Sequence, residues 1–124
     1  MQHIDLLSSF GRQNSVEAFA AEVFHILGVE NYEERESMNY EDESYFIVKI
    51  KDMTLKVSLS GDDEHSDLPC WIQFYSDTLC LSKLAAIVDD AVHGGMLPDG
   101  FRVARMFNFG RKDEQRVDYQ IGSR

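Results

Sequence analysis

The hydrophobic period of this chain changes three times, and those changes confine it to helices packed on a mainly antiparallel sheet. From Ser15 to Leu27 the apolar residues Val16, Phe19, Ala20, Val23, Phe24 and Leu27 recur at helical spacing. Asn14, with Glu17 three residues on, resembles a capping box, and Gly28 is a natural stop. From Tyr32 to Tyr75 the period falls to two. Phe46, Val48 and Ile50 alternate with Ile47 and Lys49, and after a turn at Lys51-Asp52 so do Met53, Leu55, Val57 and Leu59 with their polar neighbours. Trp71 to Tyr75 reads as a further strand. Tyr32 to Met38 reads as a strand whose glutamates and arginine suit a sheet edge. Leu79 to His93 returns to helical spacing, with Asp77 or Thr78 as cap and Gly94-Gly95 as its end. Two alternating runs follow, one with Phe101, Val103, Phe107 and Phe109, the other with Val117, Tyr119 and Ile121.

Residues before Ser15 read as a short polar head. The expected order is therefore α-β-β-β-β-α-β-β, a single α+β domain over residues 1–124 with both helices on one sheet face. A chain of 124 residues suffices for one core of this kind. Met1-Gln2-His3-Ile4-Asp5-Leu6-Leu7 has no basic, then apolar, leader pattern, and no apolar run approaches the length of a membrane span. A cytoplasmic protein is expected. Cys70 and Cys80 lie in apolar surroundings without metal or redox spacing and read as small buried hydrophobes.

Charge narrows the function. The net charge is −10. Between Glu30 and Asp67 twelve acidic residues face four basic ones, whereas from Phe101 to Arg124 six basic residues outnumber three acidic ones. Such a surface repels phosphate backbones, so direct nucleic-acid binding is disfavoured, and it attracts basic proteins. The plainer role of surplus carboxylates is solubility.

Motifs for chemistry are missing from the sequence. His3, His25, His65 and His93 form no metal-ligand spacing. The loop Asp62, Asp63, Glu64, His65 and Asp67 lacks the ligand alternation of a calcium loop. There is no phosphate-binding glycine loop and no nucleophile elbow. No cofactor, metal or enzymatic activity is expected.

What stands out is tyrosine beside carboxylate, a mixture suited to a protein interface in which rings are buried and acids select a basic partner. The candidate partner-binding residues are Tyr32, Glu33, Glu34, Glu36, Tyr40, Glu41, Asp42 and Glu43, with Asp62, Asp63 and Glu64 in the acidic loop. The run from Glu34 to Phe46, in a Glu-Arg-x-Ser-x-Asn-Tyr, then Tyr-Phe pattern, precedes the strand pair and Asp67-Leu-Pro-Cys-Trp-Ile-Gln-Phe74. Over roughly the central third of the chain this resembles small bacterial immunity proteins that accompany toxins of polymorphic and contact-dependent inhibition systems. The resemblance implies a non-catalytic inhibitor that binds a cognate toxin, for example a basic nuclease domain, and blocks its active site. A second reading, from the order of elements and the acidity, is a type III secretion chaperone that dimerises and binds an extended effector segment. A small enzyme on the same sheet is a third. Whether the chain is a monomer or a dimer stays open at the level of sequence.

Overall fold

A computed structural model describes residues 1–36, 44–61 and 63–120. The α+β class is as expected, but the order gains a strand. β1 spans Gln2–Ser8, α1 Val16–Ile26, β2 Glu33–Glu36, β3 Ser44–Ile50, β4 Met53–Leu59, β5 Cys70–Ser76, α2 Leu81–Ala91, β6 Val103–Phe107 and β7 Gln115–Asp118. Short 3-10 and π turns occupy Asp63–His65 and Val92–Met96. The seven strands form one antiparallel sheet in the order β2-β3-β4-β5-β1-β6-β7.

The expected polar head is thus a central strand, β1, hydrogen-bonded to β5 on one side and β6 on the other. Alternation within it is hidden because both of its faces are covered. Ile4 and Leu6 join the main core under the helices, while Leu7 is fully buried on the opposite face. Doubly covered strands lose the apolar–polar rhythm that marks half-exposed ones.

The main core fills the space between the sheet and the two helices. Phe19, Phe24, Leu84 and Val88 pack from the helices onto Leu6, Leu55, Ile72 and Phe74. α1 is capped by Ser15, not Asn14: the Ser15 hydroxyl accepts from the Ala18 N–H at 3.1 Å. At its other end Gly28 adopts φ 73°, and the Gly28 and Val29 N–H groups return to the His25 and Phe24 carbonyls. This is the left-handed closure that glycine permits.

α2 begins later than the spacing predicts. Asp77 and Thr78 do not cap it. Ser76 organises the approach instead, its hydroxyl accepting from the Thr78 and Leu79 N–H groups and donating to the Asp52 carbonyl. Gly94-Gly95 does not end the helical path either, because the chain continues through the π turn to Met96. There a Cβ on Gly95 would overlap the Cγ2 of Ile26, so glycine lets this turn approach α1. The last two strands are shorter than their apolar alternation: Phe101 and Phe109 flank β6 outside it, and Ile121 lies outside the described residues.

Candidate functional site

The face of the sheet away from the helices carries the polar chemistry. Register places its side chains in rows across the strands. One row runs Arg35, Tyr45, Ser58, Trp71, Leu7, Ala104, Asp118, and the next Glu33, Ile47, Lys56, Gln73, Asp5, Met106, Arg116. Beside them Tyr75 stacks on His3 at 4.8 Å, and the Lys56 ammonium lies within 5.6 Å of the Tyr45 and Tyr75 rings.

Half of this face is roofed. The segment between β4 and β5 folds back across the sheet, so that Leu68 meets Leu7, Ala104 and Met106 in a small second core flanked by Trp71 and Phe109. A charged latch holds it down. Arg116 on β7 donates two parallel bonds to the Asp67 carboxylate, at 3.1 and 2.9 Å, and also bonds Asp118 at 2.7 Å. His65 Nε2 lies 2.8 Å from the Glu114 carboxylate, whose second oxygen accepts from the Gly110 N–H.

Glu64, His65 and Glu114 bring three possible ligand atoms within 4.8 Å of one another, which is the spacing of a cation site. The same contacts also form a latch. Arg116 Nη1 is 3.3 Å from His65 Nδ1, and a guanidinium has only donors, so Nδ1 must accept. In the tautomer in which Nδ1 accepts, Nε2 carries the ring proton and donates it to Glu114.

The latch has an acid signature. The Asp67 and Asp118 carboxyls are held below their usual range by hydrogen bonds from Arg116, and that of Glu114 by the Gly110 N–H and then by His65. Groups whose folded values are depressed stabilise the fold above their ordinary range, near pH 4, and lose that contribution as pH falls through the lowered values. Stability measured by urea denaturation is expected to drop from pH 5 to pH 2.5, and Arg116→Leu to flatten that dependence. At neutral pH the same substitution is expected to cost about 1–2 kcal/mol, since a bidentate, partly exposed network exceeds a lone surface pair.

Under the roof's edge lies a groove of about 790 Å³, floored by Asp5, Trp71 and Gln73 and bordered by Glu64, Phe109 and Arg111. Asp5, only 8% exposed, accepts from the Trp71 indole N–H and is bonded to His3, both at 2.9 Å. Gln73 accepts from the Tyr75 hydroxyl. Its amide nitrogen and the Ser58 hydroxyl are buried with no hydrogen-bond partner among the described residues. No motif search could find this group, because its members come from both ends of the chain and pair only through the sheet.

Of the residues singled out from sequence, those the structure describes fall in different places. Glu33 and Glu34 are exposed on β2, an edge strand as expected, on opposite faces of the sheet. Glu36 closes that strand. The Tyr32 ring packs against Phe24, 4.6 Å between centroids, and beside Phe46, so it belongs to the margin of the core. Tyr40, Glu41, Asp42, Glu43 and Asp62 lie outside the described residues. Asp63 opens the 3-10 turn, and Glu64 is exposed beside the latch. Six strand spacings, roughly 29 Å, separate β2 from β7, so the glutamates of β2 and the latch are distinct places.

Acid also gathers on the helical layer, which the local counts did not single out. α1 carries Glu17 and Glu22 and no lysine or arginine, and α2 sets Asp89 and Asp90 against Lys83. The Glu22 carboxyl is raised above its usual range by its hydrogen bond with Asp99, a pair of acids in one place.

The cysteines differ from each other. Cys70 is buried, which pushes its thiol up to about 12, whereas Cys80 is exposed and is not the buried hydrophobe its neighbours suggested. Hydrogen bonding with Ser82 and nearby Lys83 lowers the Cys80 thiol. Iodoacetamide on the native protein is expected to label Cys80 alone, read by mass after digestion, with Cys70 reacting only in denaturant. No helix among the described residues is long and apolar enough to cross a membrane. Comparison of the chain with protein-family models, with curated proteins and with solved structures finds no match in any of the three.

Proposed function

We propose that this chain is a non-catalytic inhibitor of the immunity type, which binds a basic protein toxin and covers its active site. The observation that supports it most is the β2 edge: Glu33 and Glu34 are exposed on an outermost strand, in a chain of net charge −10. Carboxylates there occupy the place that phosphates take in a nuclease cleft, and an acidic field speeds capture of a basic partner. The paired acids Glu22 and Asp99 add to that field. Tyr40, Glu41, Asp42 and Glu43, which follow β2 in the sequence, add further acids and a ring to the composition of this segment.

The test is co-expression with the C-terminal domain of the protein encoded directly upstream, which this reading requires to be a toxin. Growth rescue and co-purification at equal stoichiometry are expected. A toxin domain that stays lethal and forms no complex sinks the reading. An exposed edge also suits the second reading, a secretion-chaperone-like protein that binds an extended effector segment by strand addition. Backbone pairing of that kind is largely insensitive to salt, whereas capture through glutamates weakens with it.

A further inference from the structure

The two edges of the sheet are built differently. β2 is guarded at its centre: a second copy pairing about Glu34 would set that carboxylate against itself, with Glu33 opposite Arg35 on either side. Among the described residues, β7 carries charges of both signs, Arg116 and Asp118, on either side of an apolar centre, Val117. Of the large apolar residues exposed on the described surface, Val117 (54%), Leu81 (45%) and Phe107 (37%) gather at this end of the sheet. Val117 and Phe107 lie on the helix side of β7 and β6, where Arg105 stacks on the Phe107 ring at 4.7 Å, and Leu81 borders the adjoining groove.

The backbone fixes how this edge can pair. The Tyr119 N–H donates to the Val103 carbonyl, so Val117 with Arg105 is the next hydrogen-bonded pair inward, and alternation turns the N–H and C=O groups of Arg116 and Asp118 away from β6. These are the groups a further strand must use. An antiparallel copy of Gln115–Asp118 centred on Val117 sets Arg116 opposite Asp118 of the second copy, twice. Both pairs are hydrogen-bonded, and the two valines meet at the close, non-hydrogen-bonded position between them. Backbone hydrogen bonding favours this register, apolar contact favours it on one face, and on the other the Arg116–Asp67–Asp118 cluster of each copy meets the other's without a like-charge clash at the paired positions.

We propose that β7 is a self-pairing edge through which two copies of this chain join their sheets, antiparallel and centred on Val117. The proposal stands apart from the inhibitor reading, since it uses the opposite edge and needs no toxin. A two-fold contact of this kind is self-complementary and closes on itself, leaving both β2 edges outermost and free.

Sedimentation equilibrium of the full chain tests it, together with cross-linking in a Cys80→Ser background. The wild type is expected to show a concentration-dependent dimer. Val117→Cys is expected to form an intermolecular disulfide under mild oxidation, because facing residues at that position have α-carbons within disulfide range, and Glu34→Cys is expected to form none. Val117→Lys, which places two ammonium groups together, is expected to raise the dimer dissociation constant about a hundredfold. A wild type that stays monomeric at every concentration overturns the proposal. So does a dimer that Val117→Lys leaves intact, or one in which Val117→Cys fails to cross-link. Should Val117→Lys lose its cooperative thermal transition, the cross-link decides alone.

Discussion

Leu7→Ala is expected to cost about 3 kcal/mol, as much as Leu6→Ala, although the two neighbouring side chains point to opposite faces of the sheet. In a sheet with one wet face, one of these substitutions would be nearly free. Here both leucines are fully buried. Leu6 sits beneath the helices, and Leu7 sits beneath the segment that carries Leu68 back over the sheet. Each change removes three carbons from a close-packed site and leaves a cavity that a central strand, hydrogen-bonded on both sides, cannot collapse to fill. Urea denaturation gives the two free energies directly. A loss below about 1 kcal/mol at Leu7 would show that the roof does not seal that face in solution.

Gly11→Ala is expected to destabilise by about 3 kcal/mol and Gly28→Ala by about 1 kcal/mol, although both glycines hold similar positive φ angles, 64° and 73°. The backbone penalty for a side chain in this region is shared. The difference is space. A Cβ on Gly11 would lie 2.6 Å from Cε1 and 2.7 Å from Cδ1 of Phe101, a ring 1% exposed and packed edge-on against Phe19. Nothing lies within 4 Å of a Cβ on Gly28. Phe101 cannot withdraw without disturbing the main core, so overpacking adds to strain at Gly11 alone. A Phe101→Leu background should narrow the gap between the two glycine variants, and equal losses at both sites would refute the contact.

These two predictions bear on what the sequence could reveal. The stripes of α1 and α2 and the Lys51-Asp52 hairpin are local patterns, and the fold keeps them. β1 is illegible in the sequence because His3 and Asp5 make it look polar, yet both side chains are held by Trp71 and Tyr75 on β5. Partners 66 residues apart leave no trace in spacing. The latch is hidden for the same reason: His65 and Glu114, or Asp67 and Arg116, are 49 residues apart. Its acids read as surplus carboxylates in the sequence, and the fold turns two of them, Asp67 and Asp118, into ligands for one arginine. Acidity was therefore legible as a sum and not as a place. The structure divides it among the β2 edge, where Arg35 reaches Glu33 at 3.5 Å and Glu34 faces outward, the helical layer and the latch.

The central claim, that exposed acid at β2 captures a basic partner, is tested most directly by the association rate with the toxin domain proposed as that partner, once co-expression has identified it, measured by stopped flow across a salt series. Steering by exposed charges predicts that the rate falls about tenfold between low salt and roughly 0.5 M, and that Glu33→Gln with Glu34→Gln lowers it several-fold at low salt with little change in dissociation. An association rate indifferent both to salt and to the loss of the two glutamates would contradict the account.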